Sequence, residues 1–228
     1  MQNLRLPAWA AFFLSLLFFA TGPARAQEDP PGRVGRIAEL QGSVSWFDAD
    51  EGRWTPAERN RPITAGDRLA TGPGARAEVR IGSTVLRLAE RSEVEWQRLD
   101  DERVVVALQS GAFALRLKSR EAADDIRVLT AEARLAPQRA GHYRFDRLDD
   151  TTTVSVWRGE VRVEGPGSWG VGDGQRLELY RDRGGDLRGQ WGTPVADSFA
   201  SWVQSDDARE GTTASTRYVS PEMTGVED

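Results

Sequence analysis

From Gly35 onward the chain alternates apolar and polar residues, and turn formers interrupt the alternation roughly every eight to twelve positions. Successive side chains of a strand point to opposite faces, so this period of two predicts short strands with one buried side, whereas a helix needs a period near 3.6. The stretch Ala65–Trp96 shows the pattern most clearly. Ala77, Val79 and Ile81 face one way and Glu78 and Arg80 the other. Gly82-Ser83 turns the chain, Leu86 and Leu88 face inward beside outward Arg87, and Val94 and Trp96 face inward beside Glu93 and Glu95. Four strands are expected here. Solvation and cross-strand pairing on an exposed sheet face suffice to explain the alternating Arg and Glu. The same rhythm runs through "RVVVALQ", "AFALRLK", "DIRVLT", "HYRFD", "TTVSVWRGEVRVEG" and "QRLELYR". An all-β sandwich, barrel or solenoid follows. Gln41-Gly42 reads as a tight hairpin turn between "RIAEL" and "SVSWF", and Arg158-Gly159 as a hairpin or corner.

The two ends differ in texture. Arg5 precedes the apolar run Ala8–Ala20, Thr21-Gly22-Pro23 breaks it, and Ala24-Arg25-Ala26 has the form of a cleavage site. Residues 1–26 therefore read as a secretory signal peptide cleaved after Ala26, too short in its apolar part to span a bilayer. A periplasmic or secreted location and no stable membrane anchor after cleavage are expected. Residues 27–34 read as a polar linker and 35–182 as the β domain. Thr193-Pro194 looks like the start of a helix over 193–208, with Val195, Phe199, Trp202 and Val203 on one face. Residues 209–228 read as an extended tail.

Composition excludes several functions. There is no Cys, hence no disulfide framework and no lipid-anchoring cysteine. After Ala26 the chain carries 28 basic and 35 acidic residues, a net charge of −7, and the arginines lie beside acids. Nucleic-acid backbones need clustered positive charge, so no nucleic-acid partner is expected. His142 is the single histidine, without a second imidazole or thiol to complete a metal site. Ser83, Ser110 and Ser201 lie in no nucleophile elbow. "GPGSWGVGDG" lacks the lysine of a phosphate loop. The acid pairs Asp100-Asp101, Asp124-Asp125, Asp149-Asp150 and Asp206-Asp207 read as solvated, and Asp182–Asp186 lacks the ligand spacing of a calcium loop. No catalytic residue, metal or cofactor is expected, and the chain reads as a non-enzymatic protein.

Tryptophan supplies the candidate binding residues. Trp46, Trp96 and Trp202 fit core positions. Trp157 faces outward if Val154 and Val156 face inward, and Trp169 and Trp191 are expected in Gly-rich loops. Trp157, Trp169 and Trp191 are the candidate contacts for a protein or cell-envelope component, with Tyr218 of the tail as a fourth. The alternative is a polysaccharide- or peptidoglycan-binding module built on the same rings.

Gly66-Asp67-Arg68-Leu69-Ala70-Thr71 followed by Ala77–Ser83 resembles the signature of the FecR domain, the family named after the ferric-citrate regulator of Gram-negative bacteria. Val154-Ser155-Val156, Gly159–Val163 and Val171–Gln175 resemble its second half, so the similarity runs from about Gly35 to Leu179. The tail "RYVSPEMTGVED" is similar to a segment of exported FecR-domain proteins. The resemblance implies a periplasmic, all-β, twisted solenoid or sandwich of short antiparallel strands without catalytic residues, here with one C-terminal helix and an extended tail. In the regulators this domain follows a cytoplasmic anti-sigma segment and a membrane span. Neither is expected in this chain, so a sigma-factor partner is not expected. The function expected is a protein-interaction or envelope-associated signalling module.

Overall fold

A computed structural model describes residues 33–165 and 168–212. The expected signal peptide, most of the linker and the tail beyond 212, including Tyr218, lie outside the described residues. The elements in order are β1 (Gly35–Gln41), β2 (Val44–Asp48), β3 (Arg53–Pro56), β4 (Pro62–Ile63), β5 (Arg68–Thr71), β6 (Arg76–Ile81), β7 (Thr84–Leu88), β8 (Glu93–Leu99) and β9 (Val104–Leu117). A short helix α1 (Arg120–Asp125) follows. Then come β10 (Ile126–Leu129), β11 (Arg134–Pro137), β12 (Gly141–Leu148), β13 (Thr151–Arg158), β14 (Val161–Glu164), β15 (Trp169–Val171), β16 (Gln175–Arg181), β17 (Leu187–Gly192) and the helix α2 (Ser198–Thr212). The four strands expected between Ala65 and Trp96 are β5 to β8.

The strands form two sheets that share β9. Sheet I runs β4-β1-β6-β7-β9-β12-β13-β16-β17. Sheet II runs β3-β2-β5-β8-β9-β10-β11-β14-β15. The inward residues of both pack into one core around Trp46, Trp96, Phe113, Tyr143 and Phe145. The Phe113 and Phe145 rings meet at 5.3 Å. The architecture is the expected all-β sandwich with a C-terminal helix.

β9 crosses from one sheet to the other. Val104–Ser110 pair with β8, and Phe113–Arg116 pair with β7 while Gly111–Leu117 pair with β12. The bend falls at Gly111, whose φ of 78° lies in the left-handed region. A β-carbon there would stand 2.5 Å from Ser92 Cα and closer still to the Arg91 carbonyl. Leaving the ladder frees backbone groups, and buried Ser92 satisfies them. Its Oγ accepts from Ala112 N at 2.8 Å and donates to Ala112 O at 2.9 Å. Two strands were expected where the structure has one bent strand of 14 residues.

The bend also accounts for α1. β10 pairs with β9 in parallel, Ile126 opposite Val104, against the expectation of antiparallel pairing throughout. Parallel neighbours normally need a crossover of a dozen residues or more. Here the bend brings both ends of β9 to one side of the sandwich, where Val104, Ser119 and Ile126 line a common cleft. A six-residue helix, capped by Ser119 accepting from Ala122 N at 3.2 Å, then closes the connection. Gly42 likewise makes a corner, not a hairpin, since β1 and β2 belong to different sheets. Arg158-Gly159 is a corner between β13 and β14, with Gly159 at φ 114° against the Tyr143 ring.

Gly111→Ala is expected to destabilise the protein by roughly 3 kcal/mol, from the left-handed backbone and the contact with Ser92. Urea unfolding should show a lower midpoint with an unchanged slope.

Candidate functional site

The most unusual chemistry lies on the outer face of sheet I, beneath α2. Alternation places Glu78 and Arg80 of β6, Arg87 of β7, Ala112, Ala114 and Arg116 of β9, and His142 and Arg144 of β12 on this one face. The register sets Glu78 opposite Arg87, Arg87 opposite Ala114, and Arg116 opposite His142. The two alanines leave room for Phe199 and Val203 of α2, which form a small second core with partly buried Trp157 and Trp202. Asp197 caps the helix, accepting from Ala200 N at 2.8 Å, and receives Arg144 Nη1 at 2.7 Å. Arg144 also holds Asp146 through two bonds of 2.9 Å from Nε.

The helix was expected over 193–208. It starts at Ser198, and residues 193–197 belong to no helix or strand. A Thr193 cap would stand free, whereas Asp197 is fastened to the sheet through Arg144, so the later start is the one the tertiary contacts favour. The shift places Asp206, Asp207 and Glu210 over the sheet.

There they meet the arginines. Arg87 donates from Nε to Glu78 at 2.8 Å and from Nη1 to Asp207 at 2.6 Å. Arg116 Nη1 reaches Asp207 at 3.1 Å and Glu210 at 2.6 Å. His142 Nδ1 lies 2.8 Å from the second oxygen of Asp207. Arg80 pairs with Glu78 at 2.7 Å and with Glu210. The side chains of Arg87 and Glu78 are only 2% and 4% exposed. This corrects two expectations. The Arg and Glu of β6 and β7 do not all lie on a solvated face, and Asp206-Asp207 is not a solvated pair, because α2 covers them. Burial pushes the Asp207 carboxyl up, but the hydrogen bonds from His142 and Arg87 and the Arg87 charge outweigh it and bring the group to about 2. Burial likewise lowers Arg87, and Asp207 and Glu78 more than restore it.

The arrangement binds carboxylates. His142 and Asp207 make a pair of the kind that orients a general base, yet no serine or threonine hydroxyl hydrogen-bonds to His142 among the described residues. No group of three His, Asp or Glu converges as metal ligands among the described residues. Asp182 turns onto Arg188 at 2.7 Å and onto the amides of Gly184 and Asp186.

The candidate tryptophans do not share a surface. Trp157 does face outward on sheet I, but it packs with the α2 residues. Trp169 packs against the core, its ring 3.6 Å from where a β-carbon of Gly189 would lie, and so joins the two edge strands β15 and β17. Trp191 is half exposed, and it lies on β17 as Trp169 lies on β15, so neither ring is in the loop expected for it. Trp54 is also exposed, tilted against Phe47 at 5.4 Å. The ionic cluster was missed because its halves are far apart, Asp207 standing 120 residues from Arg87. The available signal was the acid run at Asp206, Asp207 and Glu210 following Phe199 and Val203 at helical spacing.

The family model described as FecR protein matches residues 67–162, from the start of β5 to the start of β14. Two crystal structures of a candidate anti-sigma factor from Parabacteroides distasonis ATCC 8503 are similar to this chain, with a TM-score of 0.48 each and 17% and 15% identity. Each match covers 60% of this chain and 64% of that one, under two thirds of its length. No curated protein matches the chain. The expectation that sigma factors are not among the partners is corrected, since the similar solved structures are those of a candidate anti-sigma factor.

Arg87→Ala leaves Glu78 and Asp207 without their shared cation and is expected to cost about 3–5 kcal/mol in urea unfolding. Arg53→Ala, at an exposed pair with Glu51, is expected to change stability by less than about 0.5 kcal/mol. Asp207 falls from an ordinary 3.8 to about 2 on folding. Its stabilisation, about 2 kcal/mol, is therefore complete above the unfolded value and is lost as pH falls from about 4 towards 2. Unfolding measured across this range should show the loss, and Asp207→Asn should flatten it.

Proposed function

From the FecR domain at residues 67–162, we propose that this chain is an exported signalling or regulatory module that acts by binding another protein and not by catalysis. The apolar run and the Ala24-Arg25-Ala26 pattern of the N-terminus support export. A pathway that ends on a sigma factor falls within this reading.

The observation that carries protein binding is the free edge of sheet I. A sheet edge presents unpaired backbone donors and acceptors, and natural proteins shorten or obstruct such edges. Three of the four edges here are treated in that way. β4 is two residues long and begins with Pro62, β15 has three residues, and β3 has four and ends in Pro56. β17 is different. It has six residues, nearly all exposed, and among the described residues it pairs only with β16. It carries Trp191, 50% exposed, opposite Leu177 of β16. An open strand with an adjacent aromatic anchor suits strand addition by a partner, with the backbone supplying affinity and the ring selectivity.

Trp191→Lys should reduce capture of the partner from envelope extracts at least about tenfold, a change of ~1.4 kcal/mol. Trp54→Lys, on the other exposed ring, should leave capture unchanged, and both variants should melt within about 3 °C of the parent. Equal capture by all three proteins would remove β17 as the docking edge. Recovery of glycan in place of protein would return the reading to a saccharide module.

A further inference from the structure

The cluster beneath α2 has the composition of an exchangeable interface. A helix fixed permanently on a sheet is most simply held by an apolar seam, since removing two charges from water offsets most of their attraction. Here the apolar contact is confined to the first half of the helix, where Phe199 and Val203 sit on Ala112 and Ala114. The second half is ionic. Without α2 the face presents Arg76, Arg80, Arg87, Arg116 and Arg144 against Glu39, Glu78 and Asp146, and it is net positive. The helix brings Asp197, Asp206, Asp207 and Glu210 to it, so the two surfaces are complementary in charge. The join between β17 and α2 is a largely exposed stretch, residues 193–197, which contributes no strand to either sheet.

We propose that the outer face of sheet I is an acceptor site for an acidic amphipathic helix, filled in cis by α2 and open in trans to a partner helix of the same pattern. That pattern is read from α2 itself. An aromatic residue is followed by an aliphatic one four positions on, and by acids seven, eight and eleven positions on, as in Phe199, Val203, Asp206, Asp207 and Glu210. The first two fill the space over Ala112 and Ala114. The acids then meet Arg87, Arg116, His142 and Arg80. Because a short tether holds α2 at an effective concentration in the millimolar range, a partner must bind tightly to displace it, and α2 sets that threshold. This face is separate from the β17 edge, so either reading stands or falls without the other.

Hydrogen exchange on the intact protein gives the first test. The α2 amides should exchange through local opening, well ahead of those of β7 and β9. Equal protection of helix and sheet would overturn the proposal. The second test inserts a protease site within residues 193–197 of the full chain and cuts the folded protein. A fluorescent peptide of residues 195–212 should then exchange into the cut protein with saturable binding, at least ten times more tightly than into the uncut one. The same peptide with Asp206→Lys and Asp207→Lys should bind about 100-fold more weakly. Unfolding on cleavage, failure to exchange, or equal binding of the charge-reversed peptide would each overturn it.

Discussion

The fold turns on the bend in β9. One strand of 14 residues belongs to two sheets, and it can do so because Gly111 takes a left-handed conformation against the backbone of Arg91 and Ser92. From that single crossing follow the shared core, the short helix α1 and the one parallel pair among the described residues. Ser92 matters to it as much as the glycine, because backbone polar groups released at a buried bend need a partner within the protein.

The same strand joins the core to the outer cluster. Phe113 and Leu115 of β9 point into the sandwich, while Ala112, Ala114 and Arg116 point out beneath α2. Small residues next to a guanidinium allow a helix to approach closely and then require it to carry acids. Arg87 completes that requirement, since a cation with only 2% of its side chain exposed is tolerable only while Glu78 and Asp207 remain on it. The helix and the sheet face therefore specify each other by charge as well as by shape.

Two surfaces of sheet I thus carry the functional reading, and they differ in kind. The β17 edge offers backbone and an exposed ring, a recognition mode that depends little on the partner's charge. The face under α2 selects by ionic complementarity and is occupied already. The match to the FecR family model at 67–162 is compatible with both, since it concerns the scaffold, and function belongs to the surfaces on it.

The sequence by itself determined most of the strands, though neither the continuity of β9 nor the presence of β17 beyond residue 182, together with the buried side of the strands it showed and the class of fold. Residues such as Val79, Leu86 and Trp96 declare their direction through local alternation, a property of the strand backbone alone. It also showed the residues of α2 that share a face. What it could not show was what covers the far side of each strand. Arg87 and Glu78 read as solvated because alternation says which way a side chain points but not what waits there. Likewise Trp157 read as a surface ring until α2 was found over it, and Asp197 displaced Thr193 as the cap because Arg144 reaches it. Burial of the outer face depends on contacts between residues more than 100 positions apart, such as Arg87 with Asp207. Only the folded chain brings those together, so tertiary structure decided the site while the local pattern decided the scaffold.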